Sequence, residues 1–271
     1  MRAITLVARA VFKESVRDRV PLTIVGFGVV LAAASYLISQ MTAGQDLKII
    51  KDLGLAALSM LGLLIAVFIG IALVAKEVER RSIYSILSKP VTREQFLIGK
   101  YLGLVMTLAA NLAAMTLAFY LVLGYFEYMT LAQGLDRSAW GVAPPADPKL
   151  LIAILLIFGE LMIVTAVALF FSTFSSPLLA ALLTLGLWIA GHFNADLRRF
   201  EAVVDSPLAG ALAMGVYYVL PNLAPFNVKA EAVHGIAVSA RHVLLTLAYA
   251  AVYITMLLLA SIAIFRRRDF K

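Results

Sequence analysis

Long apolar runs alternate with short polar stretches along most of the chain. Six of the runs have roughly the twenty residues that an α-helix needs to cross a hydrocarbon core about 30 Å thick. They lie at 21–39, 53–75, 97–124, 150–171, 177–193 and 243–265. A shorter apolar stretch at 208–220 cannot span this core and predicts a re-entrant or interfacial helix. The pattern predicts an all-α integral membrane protein with six transmembrane helices in one domain, residues 1–271.

Two connections between the runs differ strongly in length. Only the letters STFSSP separate the fourth and fifth runs, which predicts a tight helical hairpin. The segment 193–242 between the fifth and sixth runs is long and carries the letters VLPNLAPFN, which are typical of a structured loop. This outer segment either gates the release of a substrate or forms a plain turn.

The composition agrees with a membrane protein. The chain is 62% hydrophobic and 14% charged, whereas about a quarter of the residues in a soluble domain are charged. It contains no cysteine, which excludes disulfides, thiolate zinc sites and catalytic thiols. Its net charge of +7 fits either nucleic-acid binding or the excess of Lys and Arg in cytoplasmic loops. The positions of the charges decide between these two explanations.

The basic residues concentrate on one side of the predicted topology. If the N-terminus is cytoplasmic, fifteen of the 23 basic residues lie inside, in three short groups within 2–19, 76–100 and 266–271. The other eight are spread over longer outer loops. The positive-inside rule therefore predicts that both termini are cytoplasmic. No nucleic-acid partner is needed to explain the charge, and the first apolar run does not have the pattern of a cleaved signal peptide.

Residues 1–19 have the pattern of a separate amphipathic helix. Apolar and small side chains recur at helical spacing on one face, at Ile4, Val7, Ala8, Val11, Phe12 and Ser15. Arg9, Lys13 and Arg17 follow the opposite face. Such a helix lies in the membrane interface and contacts lipid. Pro21 favours a break before the first span, because proline fits the first turn of a new helix.

The letters KEVERRSIYSILSKPVTREQFLIGK, residues 76–100, form the longest run of charge. Glu77 and Arg81 have the i, i+4 order that stabilises a helix, and Pro90 cannot continue it. Thr92 and Gln95 then match a capping box just before the third run. The pattern predicts a short cytoplasmic helix at 76–91, a break, and a newly capped span. This segment is either a docking surface or an ordinary positive-inside loop.

The same segment resembles the connection between the second and third spans of type-2 ABC transporter permeases, the membrane subunits of ATP-driven exporters. The positions that match the family pattern are Glu77, Arg81, Leu87, Pro90, Thr92, Arg93, Gly99 and Lys100. The letters KESVRDR, FSSPLLAALLTLGLWIAG and FRRRDF resemble the family's entry helix, its fourth-to-fifth hairpin and its C-terminal end. The chain departs from the family at Arg81-Ser82, where members often carry Gly-Thr.

The resemblance implies a permease in the cytoplasmic (inner) membrane of a bacterium or archaeon, which moves its substrate outward by alternating access. It also implies two ATPase subunits, which bind ATP and Mg, and a second permease chain, identical or related. This chain would be no enzyme and would hold no cofactor. In agreement, Glu94 and Tyr101 break the phosphate-loop pattern around Gly99-Lys100. The implied ATPase-coupling residues are Glu77, Glu79, Arg80, Arg81, Tyr84 and Leu87. The alternative function is a non-transporting anchor or scaffold that docks a cytoplasmic partner.

A few residues inside or near the spans are further candidates. Glu160 lies midway along the fourth run, where an ionisable group is costly. It either lines a translocation path or forms a buried hydrogen bond to a neighbour such as Asn111 or Thr107. Gly99-x-x-x-Gly103 matches a helix-packing motif and is a candidate dimer contact.

The remaining candidate chemistry is limited. The spacing of the three histidines, His192, His234 and His242, does not fit a metal site, and we expect them on the outer surface. An intramembrane enzyme would need paired acids or a nucleophile within the spans, and Glu160 stands there as the one buried acid.

Overall fold

The computed structural model describes residues 2–18, 26–27, 31, 46–79, 92–132, 144–193 and 220–267. The regular structure of these ranges is helical. The helices are α1 (Arg2–Asp18), α2 (Asp46–Glu79), α3 (Arg93–Ala132), α4 (Leu150–Ser172), α5 (Pro177–His192), α6 (Lys229–Val233) and α7 (Ala240–Arg267), with a 3₁₀ turn at Ala224–Phe226.

Four described helices, α2, α3, α4 and α7, are long and apolar enough to cross a membrane, and α5 is a shorter apolar helix. They correspond to the predicted second to sixth spans. Helix α3 has 40 residues and is therefore about 60 Å long, well beyond the predicted run. The first predicted span lies mostly outside the described residues. Within it, Phe27 and Leu31 are helical and buried in the core.

Helix α4 is the centre of the bundle. Apart from Glu160 its sequence carries no charged side chain, and it packs against α2, α3, α5 and α7. A helix of this composition is stable only where apolar groups surround it. Leu156, Leu161 and Leu169 are fully buried, and Gly62 of α2 allows close approach to Leu161. Such close packing stabilises helix association within a membrane.

The connection between α4 and α5 is the tight hairpin that the sequence predicts. Ser176 has an extended backbone, and Pro177 occupies the first turn of α5, where its missing N–H costs nothing. The backbone N–H of Ala180 donates to the carbonyl of Ser176 at 2.8 Å. Helix α5 therefore returns alongside α4 in the opposite direction.

Hydrogen bonds and one ion pair identify the two ends of the bundle. Lys51 of α2 donates to the carbonyl of Pro144 at 2.6 Å, and Tyr120 of α3 donates to the carbonyl of Asp147 at 2.9 Å. Both contacts hold the loop before α4, and we call this side the Lys51 end. At the opposite side, the Glu94 end, Arg266 of α7 forms an ion pair with Glu94 of α3.

Helix α1 is amphipathic, as predicted, and its apolar face packs against α3. Val7 lies opposite Gly99 and Val11 lies opposite Gly103, so the two helices run parallel in this region. A Cβ on Gly103 would lie 2.7 Å from the Cβ of Val11. The predicted dimer motif therefore holds a helix of the same chain. The interfacial position of α1 stays a prediction.

Residues 220–239, which we call the cap segment, lie over the bundle at the Lys51 end. The N–H of Leu223 donates to the carbonyl of Gly191 at 3.0 Å, and Phe226 is fully buried. Helix α6 within the segment packs against α2 and α4. Lys149 donates to the carbonyl of Gly235 at 2.6 Å, where a φ of 69° favours glycine. The predicted short helix at 208–220 lies outside the described residues except for position 220.

Candidate functional site

The predicted coupling helix, 76–91, begins as a direct continuation of α2. Glu77 and Glu79 belong to the last turn of that helix. The other predicted coupling residues, Arg80, Arg81, Tyr84 and Leu87, lie outside the described residues. Because no break precedes Glu79, a displacement of the segment's first turn would act directly on α2.

The chain leaves this segment through the predicted capping box, which the structure confirms. The N–H of Thr92 donates to Oε1 of Gln95, and the N–H of Gln95 donates to Oγ1 of Thr92, both at 3.3 Å. This reciprocal pair satisfies donors that the first helical turn leaves open. It fixes the start of α3 at Arg93.

The first turns of α3 are also tied to other elements. Glu94 pairs with Arg266 of α7, and Gly99 and Gly103 hold α1. Lys100, a position of the family pattern, is 1% exposed, and its Nζ lies 5.4 Å from the ring centroid of Phe96. The start of α3 therefore links α1 and α7 beside the predicted docking segment.

Glu160 is 1% exposed at the centre of α4, and the structure corrects its expected partners. Its Oε1 accepts a hydrogen bond from Nε1 of Trp188 at 2.7 Å and lies 3.6 Å from Nε2 of His192. Asn111 instead donates to the carbonyl of Thr107 at 2.8 Å, and its buried Oδ1 has no hydrogen-bond partner among the described residues. Glu160 is thus bonded to α5 and not to Asn111 or Thr107 of α3.

His192 is half-buried beside Glu160, although we expected it on the outer surface. Its Nδ1 lies 3.1 Å from the carbonyl oxygen of Trp188, and the two rings are 4.7 Å apart between centroids. A carbonyl only accepts, so this contact is a hydrogen bond in the tautomer that has its proton on Nδ1. Nε2, the other ring nitrogen, lies on the side of Glu160.

Two further charged groups complete the arrangement. Lys229 of α6 is near enough to Glu160 and to Asp52 of α2 for their charges to interact. Burial lowers the pKa of Lys229, and the two carboxylates act in the opposite direction. We call Asp52, Glu160, Trp188, His192 and Lys229 the Glu160 cluster. In the described ranges, no three His, Asp or Glu side chains are placed to hold a metal ion.

Sequence reasoning found Glu160 but missed the rest of this cluster. Trp188 and His192 gave a weak signal, because their i, i+4 spacing places both polar atoms on one face of an apolar helix. Lys229 gave none, since it lies 69 residues beyond Glu160 in a connecting segment.

An apolar groove of about 510 Å³ lies between α3 and α4. Its walls carry no charged side chain, and its polar groups are the hydroxyls of Thr116 and Tyr120. The other lining residues are Ala109, Leu112, Ala113, Leu117, Leu151, Ile154, Leu155 and Phe158. The groove therefore has the character of a surface that faces hydrocarbon.

These features together define a multi-pass membrane protein, with apolar helices long enough to cross the bilayer and buried polar contacts between them. Over residues 6–270 the sequence matches the family described as ABC-2 family transporter protein, and the chain belongs to that family. The match confirms the resemblance drawn from the 76–100 segment. Membership makes the chain a membrane subunit and implies association with an ABC ATPase. No curated protein matches the chain.

Proposed function

We propose that the chain is the permease subunit of an ABC exporter, which moves its substrate by alternating access while a separate subunit hydrolyses ATP. The observation that carries the proposal is the family match over residues 6–270. The capped start of α3 supports it, because a permease must receive a push from its ATPase through a firmly held cytoplasmic connection.

The proposed topology has six spans and cytoplasmic termini in a bacterial or archaeal cytoplasmic membrane. The Glu94 end would face the cytoplasm. Arg9 and Lys13 of α1, Lys100 of α3 and Arg266 of α7 lie on elements of that end, and this supports the orientation by the positive-inside rule. Helix α1 would lie at the inner interface with Arg9 and Lys13, both exposed, toward lipid headgroups.

The proposed assembly contains two ATPase subunits, which bind ATP and Mg, and two permease chains, identical or related. The 76–91 helix would enter a cleft on the ATPase. Its contact residues would be Glu77, Glu79, Arg80, Arg81, Tyr84 and Leu87. Closure of the ATPase would then push α2 directly and α3 through its capped start, and α3 would carry α1 and α7 with it.

The test is ATPase activity of the permease purified with its ATPase in nanodiscs. We expect the double variant Glu77→Ala/Arg81→Ala to lose co-purification or coupled hydrolysis. The control variant Glu231→Ala/Arg241→Ala removes the same charges from exposed sites near the other end and should behave as wild type.

Two results would change this proposal. An unchanged complex and rate in the Glu77→Ala/Arg81→Ala variant would make the 76–91 segment an ordinary loop. A stable complex whose hydrolysis is independent of the permease would favour the anchor or scaffold function instead.

A further inference from the structure

The groove between α3 and α4 is elongated along the helix axes. Its wall on α3 is a single stripe that recurs at helical spacing from Ala109 to Tyr120, and its wall on α4 runs from Leu151 to Phe158. The two helices are antiparallel here, so Tyr120 and Leu151 lie at one end and Ala109 and Phe158 at the other. The rise of α3 between Ala109 and Tyr120 gives the groove a length of about 16 Å.

Both hydroxyls in the described lining of the groove are already engaged. Oγ1 of Thr116 donates to the carbonyl of Leu112 at 2.7 Å within α3, and the hydroxyl of Tyr120 donates to the carbonyl of Asp147 at 2.9 Å. A sugar or a peptide placed here would leave its own polar groups unpaired, which costs free energy in an apolar site. The lining therefore fits a ligand that is hydrocarbon along the whole groove.

Exposed tyrosines on α3 indicate how deep the groove lies in the membrane. Tyr125 and Tyr128 are 58% and 68% exposed, and they lie beyond Tyr120 at the Lys51 end. Tyrosine is enriched at the membrane–water interface, so these turns of α3 mark that interface. From there the groove runs inward for about 16 Å. One leaflet contributes about 15 Å to the hydrocarbon core, so the groove matches the length of a single acyl chain.

We propose that the groove between α3 and α4 binds one acyl chain of a phospholipid from the leaflet at the Lys51 end. The chain lies along the helices, with its glycerol end near Leu151 and its terminal methyl group near Phe158. A chain in the bilayer is already surrounded by hydrocarbon, so the hydrophobic effect does not drive this binding. The van der Waals contacts that the fixed walls make along the chain do.

The position of the groove connects this lipid to the proposed transport movement. Helix α3 is a span that the push of the ATPase would displace, and the groove lies between α3 and α4. Displacement of α3 would therefore change the width of the groove and admit or release the chain. In the proposed orientation the lipid belongs to the outer leaflet. These statements rest on the proposed permease function, whereas the binding of the chain does not.

The experiment uses a phosphatidylglycerol that carries a diazirine midway along one acyl chain. The full chain, without ATPase, is placed in nanodiscs that contain this probe as a minor component and is then irradiated, and the adducts are located by mass spectrometry. Freely exchanging lipid labels every lipid-facing surface, and Val252 and Met256 on the exposed side of α7 report that background. We expect the adduct yield at Ala113 and Leu117 in the groove to be several times this background.

Substitutions at Ala113 test whether the groove itself holds the chain. Ala113 is exposed and lines the groove, so a larger side chain there fills the groove without entering the core. Ala113→Leu should lower the excess of groove adducts, and Ala113→Trp should remove it. The control Ala56→Trp makes the same change at an exposed site of α2 and should keep the wild-type excess. The melting temperature of each variant in nanodiscs checks its folding, and Ala113→Leu, the smaller change, keeps the test valid if Ala113→Trp does not fold.

Three results would overturn the proposal. A groove yield equal to the α7 background in the wild type would mean that the groove holds only exchanging lipid. No groove adducts at all would mean that another segment of the chain or a second copy covers the groove. An unchanged excess in the folded Ala113 variants would place the chain elsewhere. Because the assay omits the ATPase, its failure leaves the proposed transport function standing, and failure of the ATPase assay leaves the lipid site standing.

Discussion

The docking of α1 on α3 depends on the absence of a side chain at Gly103. A Cβ there would lie 2.7 Å from the Cβ of Val11 and 2.8 Å from the carbonyl oxygen of Ala8. A backbone oxygen cannot rotate away, so Gly103→Ala must displace α1. Overpacking of this kind typically costs about 1–3 kcal/mol. We expect α1 to detach about 5–150 times more often in the variant, since 1–3 kcal/mol corresponds to that factor.

The assay follows a thiol on the buried face of α1. Ser15 is 7% exposed and its hydroxyl has no hydrogen-bond partner within the described part of the chain, so Ser15→Cys removes no hydrogen bond seen there. When opening and closing are faster than labelling, the labelling rate is proportional to the detached population. The rate should rise in Gly103→Ala by the factor given above.

The matched control is Gly124→Ala on the same helix, where an added Cβ meets no atom of the described residues within 4 Å outside its own helical turns. Its labelling rate should equal that of the parent. Equal rates in Gly103→Ala and Gly124→Ala would refute the parallel packing of α1 on α3. The comparison is clean because α3 remains helical in both the docked and detached states.

Two further predictions concern the ends of the bundle. Lys51→Met leaves the carbonyl of Pro144 without its donor. It should therefore lower the free energy of unfolding by about 1–3 kcal/mol in a denaturant titration. The control Lys13→Met, at an exposed site, should change that free energy by less than about 0.5 kcal/mol. Glu94→Arg should lower the free energy of unfolding by at most about 1 kcal/mol, because both partners of the pair with Arg266 are partly exposed. In a double-mutant cycle, the exchange Glu94→Arg/Arg266→Glu should restore that stability. If the exchanged variant is as unstable as Glu94→Arg, packing and not charge holds this contact.

The elements that the sequence predicted well depend on neighbouring residues. The hairpin after α4 follows from STFSSP and Pro177, and the start of α3 follows from the reciprocal bonds of Thr92 and Gln95. The helical character of the apolar runs follows from the cost of unpaired backbone groups in hydrocarbon, which applies to every residue of a span. The predicted second and third spans were shorter than α2 and α3. In α2 the helix continues through the polar stretches 46–52 and 76–79, which carry no apolar signal.

The sequence by itself thus determined the class of the protein, the position of most of its helices and the amphipathic face of α1. Only the tertiary structure decided what each face contacts. Periodicity shows that a side of α1 is buried but does not say that Gly99 and Gly103 receive it. Likewise, the sequence predicted that Glu160 is buried but did not predict its neighbours. Trp188 and His192 lie beside it because α5 runs back along α4, and Lys229 lies near it because the cap segment folds over the bundle. The reason is physical: a buried charge requires some partner, and which partner it finds depends on how the helices are packed around it.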